Sequence, residues 1–253
     1  MATLAQSGVD LSLIARVDRP TSLAIVDLNG DEPRYTFYDT ATAARGMTLR
    51  ELKALPAHTT VLHFGSIALA AEPAASTLIA RAKTAREGRL ICVDPNVRPA
   101  FAHDQPFYRR NLERALELGH IIKLSLSDLA WLRPQLAPEE FARQRLAAGT
   151  LLVVVTRGPQ GAIACSSRAG TCVVAAAPVP VVDAIGAGDA FTAGLLAALM
   201  DEGIKAPADL ESIRPQRLRT ALAFGTAVAG ATCARAGADP PRRSELAGWP
   251  GHP

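Results

Sequence analysis

Val181-Val182-Asp183-Ala184-Ile185-Gly186-Ala187-Gly188-Asp189, continuing into Ala190-Phe191-Thr192-Ala193-Gly194-Leu195-Leu196, is the most informative stretch of this chain. Apolar residues lead into a glycine-rich turn, and the turn opens an apolar helix whose first turn carries one carboxylate. The first N–H groups of a helix have no partner inside it, and the helix dipole adds partial positive charge at that end. Free N–H groups at Gly186, Ala187 and Gly188 would therefore suit an anion such as a phosphate. A capping carboxylate precedes the N–H groups it caps. Asp189 follows the glycines, which places it to face whatever the turn binds. Taken alone, the stretch reads equally well as a strand-to-helix corner with a solvated first-turn acid.

The surrounding chain alternates strands and helices. Val61–Phe64, Leu90–Val93, Ile121–Leu124, Leu151–Thr156 and Val179–Val182 read as strands, Pro73–Arg86 and Phe107–Leu118 as helices, and Gln216–Arg235 as a long helix rich in small residues. That alternation predicts an α/β fold with a mostly parallel sheet wrapped by helices. Ahead of it, residues 22–28 and 34–38 flank Asn29-Gly30-Asp31-Glu32-Pro33, the composition of a hairpin turn. A lone hairpin is marginal in water, so it reads as part of a small lid. The expected organisation is a partial N-terminal segment over 1–58, with its β-hairpin lid at about 20–40, and an α/β core over 59–253.

Composition narrows the function classes. The chain has 253 residues, 49% of them hydrophobic, enough for a sizeable core. Net charge is +3 with Lys and Arg scattered, which argues against nucleic acid and against an anionic membrane as partners. Cys92, Cys165, Cys172 and Cys233 lack metal-ligand spacing, as do His58, His63, His103, His120 and His252. The cysteines read as reduced packing residues and the histidines as ordinary ones. Residues 1–10 carry no basic start followed by an apolar run, and a cytoplasmic location is the default.

Ligands of open α/β sheets collect beyond the carboxyl ends of the strands. Five polar clusters fall there: Gly65-Ser66, Asp94-Pro95-Asn96-Val97-Arg98, Lys123-Leu124-Ser125, Thr156-Arg157-Gly158, and Asp183 to Asp189. Together with their neighbours they resemble the motif series of the ribokinase-like (PfkB-type) carbohydrate kinases, and most closely of their fructokinase branch. Asp183 to Asp189 resembles the signature Asp-Thr-x-Gly-Ala-Gly-Asp, and Asp94 to Pro99 resembles Asp-Pro-Asn-x-Arg-Pro. Phe64 to Leu69 with Glu72-Pro73, Lys123 to Ser125 with Asp128-Leu129 and Trp131-Leu132, Val155 to Gly158 with Gly161-Ala162, and Arg235 to Ala238 with Pro240-Pro241 complete the order, over about residues 8–246.

The resemblance implies an ATP-dependent, Mg²⁺-requiring sugar kinase with a small-molecule sugar substrate, making fructose 6-phosphate from fructose. In it Asp189 is the general base toward the attacking sugar hydroxyl, and Gly186, Ala187 and Gly188 stabilise the transferred phosphoryl through backbone N–H groups. Thr156, Gly158 and Gly161 shape the nucleotide pocket, and the last helix around Gly225 packs against the adenine. Ser125 and Asp128 help hold nucleotide phosphates and Mg²⁺, Asp128 through water, although a helix cap with a first-turn acid accounts for the pair equally well. Arg98 suits pairing with phosphate, Asn96 hydrogen-bonds to it or forms an Asx turn, and Asp94 orders the loop or the metal's waters. Activation by a monovalent cation such as K⁺ is implied near Asp183 and Gly237.

Three departures accompany the likeness. Nothing here matches the family's opening strand and Gly-Gly-x-x-x-Asn segment, which predicts a gap in the sheet and an incomplete sugar pocket, and pairing of two copies through the lid edge. Ala184 replaces the usual Thr, and Asp39 stands where related fructokinases often place Arg. Two other readings stay open: a nucleotide-binding remnant with impaired catalysis, and a kinase for another ketose, a 2-keto-3-deoxy sugar acid or a nucleoside.

Overall fold

The computed structural model of the chain describes residues 1–27, 34–102 and 104–247. Its centre is a six-stranded sheet in the order β3 (Val61–Gly65), β4 (Leu90–Asp94), β5 (Ile121–Ser125), β6 (Leu152–Thr156), β7 (Ala162–Ser166) and β8 (Gly170–Val174). Pairs β3–β4, β4–β5 and β5–β6 are parallel, whereas β6–β7 and β7–β8 are antiparallel. β1 (Leu23–Asp27) and β2 (Arg34–Tyr38) form a separate antiparallel hairpin, with Leu23 opposite Tyr38 and Asp27 opposite Arg34. The turn expected at Asn29 to Pro33 lies outside the described residues, as do His103 and His252.

Successive strand residues point to opposite faces, and both faces of this sheet are covered. Ile91, Val93, Ile122, Leu124, Val153 and Val155 pack with residues of α2 (Ala74–Ala85), α3 (Gln105–Leu118) and α5 (Pro138–Ala147). Leu90, Cys92, Ile121, Leu152 and Val154 pack on the other face with α6 (Ala187–Asp201) and α8 (Pro215–Cys233). The shorter helices are α1 (Ala2–Gln6), α4 (Leu126–Leu132) and α7 (Pro207–Glu211). Prolines at the starts of α5, α7 and α8 suit positions whose N–H has no helical acceptor.

The structure corrects one expected strand. Val179–Val182 runs without a ladder partner, and the fifth and sixth strands are β7 and β8. Pro178 and Pro180 lack the N–H a ladder needs, which keeps that segment out of the sheet. The 183–189 turn therefore reaches the sheet rim from α6 rather than from the end of a strand. Asp39 is also structural: its carboxylate accepts from Arg45 Nε at 2.6 Å, and Arg45 donates to the Phe101 carbonyl at 3.0 Å. That pair ties the chain after the hairpin to the core.

α6 and α8 approach closely because both carry glycine at the crossing. A Cβ at Gly194 would lie 2.8 Å from Val228 Cγ2, and one at Gly225 would lie 2.9 Å from the Phe191 carbonyl. Gly225→Ala should therefore lower stability by about 1–3 kcal/mol despite alanine's better helix propensity. Thermal unfolding checks this: a variant at least as stable as the parent would show that the helices can separate freely.

Candidate active site

Gly186 is the N-cap of α6 and adopts φ 78°, a left-handed conformation natural to glycine. The Ala187 N–H turns back to the Ala184 carbonyl at 3.3 Å, while those of Gly186, Gly188 and Asp189 have no backbone acceptor among the described residues. The expected set of free donors thus loses Ala187. Asp189 lies on the exposed side of the first turn, and its carboxylate makes no hydrogen bond or ion pair among the described residues. Val181, Val182 and Ile185 beside it are exposed.

Asp183 anchors this turn through both oxygens of its carboxylate. Its Oδ1 accepts from the Ile185 N–H at 2.9 Å and its Oδ2 from the Gly237 N–H at 3.0 Å. The N–H groups of Val182 and Asp183 both donate to the Cys233 carbonyl, at 2.8 and 3.2 Å. The start of α6 is thereby bound to the end of α8.

Beneath the rim lies a buried ion pair. Asp94 ends β4, Lys123 lies in β5, and Lys123 Nζ donates to Asp94 Oδ2 at 2.7 Å with each side chain 4% exposed. Burial pushes the Asp94 carboxyl above its usual range, and Lys123 opposes that push. The place a Cβ would take on Gly188 is 3.1 Å from Lys123 Nζ, so the ammonium sits directly against the turn. His63, in β3, shares this neighbourhood. Desolvation holds its imidazole below the ordinary range, and it feels the charges of Asp94, Lys123 and Asp189.

The Asp94–Arg98 loop is ordered by its own polar groups. Asp94 Oδ1 accepts from the Asn96 N–H at 3.1 Å, an Asx turn that fits the left-handed φ of 36° at Asn96. Asp128 Oδ1 accepts from the Val97 N–H at 2.7 Å, and its Oδ2 accepts from the N–H and the hydroxyl of Ser125 at 2.8 and 2.6 Å. Ser125 in turn accepts from the Asp128 N–H, closing a capping box on α4. Ser125 and Asp128 form the expected helix cap, and both oxygens of the buried Asp128 accept from protein donors. Arg98 is exposed, donates to the Val97 carbonyl at 3.0 Å, and forms no ion pair among the described residues.

Thr156 ends β6, its hydroxyl 3.5 Å from the Leu124 carbonyl. Gly158 and Gly161 have φ of 56° and 82° in the β6–β7 connection. A Cβ at Gly161 would lie 2.0 Å from the Val174 carbonyl, so glycine is obligatory there. Gly225 is buried at the α6–α8 crossing, where it lets the two helices pack closely.

Asp94, Lys123, Gly188, Asp189 and His63 come together; Asn96, Arg98, Ser125 and Asp128 form the adjoining rim. Lys123 and His63 carried no assigned role in the sequence; the available signal was that Lys123 opens one rim cluster and His63 lies two residues before another. No group of three or more His, Cys, Asp or Glu among the described residues is placed to hold a metal ion. His120 is a satisfied core histidine: its Nδ1 accepts from the Ile91 N–H, and desolvation pushes it down to about 4. Cys92, Cys165 and Cys172 are buried free thiols, and Cys233 is partly buried. No described helix is long and apolar enough to cross a membrane.

Comparison with known proteins gives the family and the fold. Residues 1–245 match the family described as pfkB family carbohydrate kinase. A fructokinase from Rhizobium leguminosarum bv. trifolii is 36% identical over 219 residues, covering 87% of this chain and 67% of the relative. Among solved structures, a fructokinase double mutant from Vibrio cholerae with fructose, ADP and potassium ion bound superposes with a TM-score of 0.85 at 27% identity, covering 98% of this chain and 79% of that one. A fructokinase from Xylella fastidiosa with bound ATP gives 0.84 at 26% identity, covering 94% and 75%.

Proposed function

Since the chain belongs to the pfkB family of carbohydrate kinases, we propose that it transfers the γ-phosphate of ATP to a hydroxyl of fructose, giving fructose 6-phosphate. The observation that carries this reading is the turn itself: among the described residues Asp189 has no partner, and the N–H groups of Gly186 and Gly188 beside it have no acceptor. The fructokinase names of its relatives support fructose as the acceptor.

Phosphoryl transfer asks the protein chiefly for alignment, charge neutralisation and a proton acceptor. In the proposed reaction Asp189 takes the proton of the attacking hydroxyl as the new O–P bond forms. Its lack of a competing donor leaves the carboxylate free to do so. The N–H groups of Gly186 and Gly188 donate to the oxygens on which negative charge develops, aided by the α6 dipole. Arg98, exposed and without an acidic partner among the described residues, is available to phosphate oxygens. Thr156, Gly158 and Gly161 border the nucleotide's path. A hydrated Mg²⁺ bound through the nucleotide phosphates would neutralise their charge. A monovalent cation near Asp183 and Gly237 would share the Asp183 carboxylate with the Ile185 and Gly237 N–H groups, each oxygen having a second lone pair to offer.

The hairpin at Leu23–Asp27 and Arg34–Tyr38 serves as the lid, within an N-terminal unit over 1–58 packed on a core over 59–253. Leu23, Ile25 and Tyr38 are exposed on it, an apolar surface suited to closing over a sugar or against a second copy of a cytoplasmic enzyme. Sedimentation at micromolar concentration tests the pairing, and a stable monomer rules it out.

The function is tested by coupling ADP release to a dye-linked assay on the purified chain with ATP, Mg²⁺ and a panel of acceptors. Fructose should give the largest kcat/KM. Faster turnover of another ketose, a 2-keto-3-deoxy sugar acid or a nucleoside would reassign the substrate, and ATP binding without transfer to any acceptor would favour the impaired-remnant reading.

A further inference from the structure

Lys123 stands out among the groups the proposed reaction does not use. Its ammonium has three donors, and Asp94 Oδ2 at 2.7 Å is the one acceptor found for it among the described residues. Burying an ammonium this deeply is costly unless it is paired and its protons are satisfied. A single carboxylate, itself bound to the Asn96 N–H through its other oxygen, meets only part of that requirement. The remaining donors belong to an ammonium whose nitrogen is 3.1 Å from where a Cβ on Gly188, in the first turn of α6, would lie. That turn carries the unsatisfied N–H groups and Asp189. Glycine at 188 lets the ammonium sit this close, because a Cβ there would crowd it and Lys123 would have to give by a few tenths of an ångström.

Resting on the kinase reading above, we propose that Lys123 is a positioning residue of phosphoryl transfer. Held by Asp94, its ammonium fixes the Gly186–Asp189 turn from below and raises the positive potential at the place where the transferred group's negative charge develops. The backbone donors of the turn and the side chain of β5 thus form one anion site in two layers. Asp94 is the counter-ion of that site rather than a ligand of phosphate or metal. In low-dielectric surroundings a fixed charge at this range acts far more strongly than in water.

The test removes the charge without leaving an orphan. Asp94→Asn/Lys123→Met deletes both members of the ion pair, and Asp94→Asn alone keeps the ammonium. The double variant should lose at least tenfold more kcat than Asp94→Asn while its KM for fructose stays within about threefold of the parent, a split that a general loss of structure does not produce. Equal kcat values for the two variants would overturn the proposal. Should the double variant fail to fold, Gly188→Ala, at an exposed helical position, carries the test. It should cut kcat at least tenfold, and parental turnover would refute the coupling between Lys123 and the turn.

A second readout does not depend on sugar kinase activity. Titration with inorganic phosphate should shift the ¹⁵N–¹H signals of Gly186 and Gly188 in the parent, with affinity at least fivefold weaker in the charge-free variant. Unchanged affinity sinks the proposal. Intact phosphate binding with no sugar phosphate formed by the parent overturns the kinase reading and leaves the anion site standing.

Discussion

Asp189→Asn should lower kcat with fructose by about 10²–10⁴-fold, the range usual for loss of a positioned general base. The amide has nearly the shape of the carboxylate but accepts a proton far more weakly. Because Asp189 is exposed and has no partner among the described residues, the substitution should leave thermal stability within about 0.5 kcal/mol of the parent. KM for ATP should barely change. Steady-state kinetics on the folded variant decide the matter, and turnover within tenfold of the parent would remove Asp189 from the reaction.

Lys123→Met alone should have the largest effect on stability, about 3–5 kcal/mol, because it leaves the Asp94 carboxylate buried without its counter-charge. The loss should depend on pH in a defined direction. Burial already pushes Asp94 upward and Lys123 restrains it, so the variant's folded-state value lies further above that of the unfolded chain, about 3.9. Between those two values the folded state binds more protons, and stability must fall as pH rises. Denaturant titrations should find the variant weakest at neutral and alkaline pH and partly recovered near pH 5. A deficit that does not change with pH would mean that Asp94 finds another donor. Replacing both residues together should recover most of the loss, since the buried charge goes with them.

How much of this was legible in the sequence varied with the range of the interaction involved. The strands β3 to β6 were readable because their apolar runs alternate with helices of clear period, and the Gly186–Asp189 turn because its chemistry is local. Val179–Val182 looked like a strand from its valines, and the flanking prolines that bar it from the ladder were the overlooked signal. β7 and β8 escaped because small residues such as Ala162 and Ala164 fill the space against α8, without the bulky branched pattern that marks a strand. The contacts across β4 and β5 were not readable. Asp94 and Lys123 are 29 residues apart and meet only through parallel register, and Asp128 reaches Val97 across 31. Gly225 shows the same limit: a glycine in a helix states that something comes close, but not whether it is a ligand or another helix.

The four hydrogen bonds that join Val182, Asp183, Ile185 and Gly237 to one another and to the Cys233 carbonyl have a dynamic consequence. They make the entry to α6 and the exit from α8 a single opening unit, so neither end can fray alone. In native-state hydrogen exchange the amides of Val182, Asp183 and Gly237 should share one opening free energy and respond together to any ligand bound at either helix end. Nucleotide contact near the end of α8 would then be felt at the turn as a change in how often it opens, with no displacement of the sheet between them.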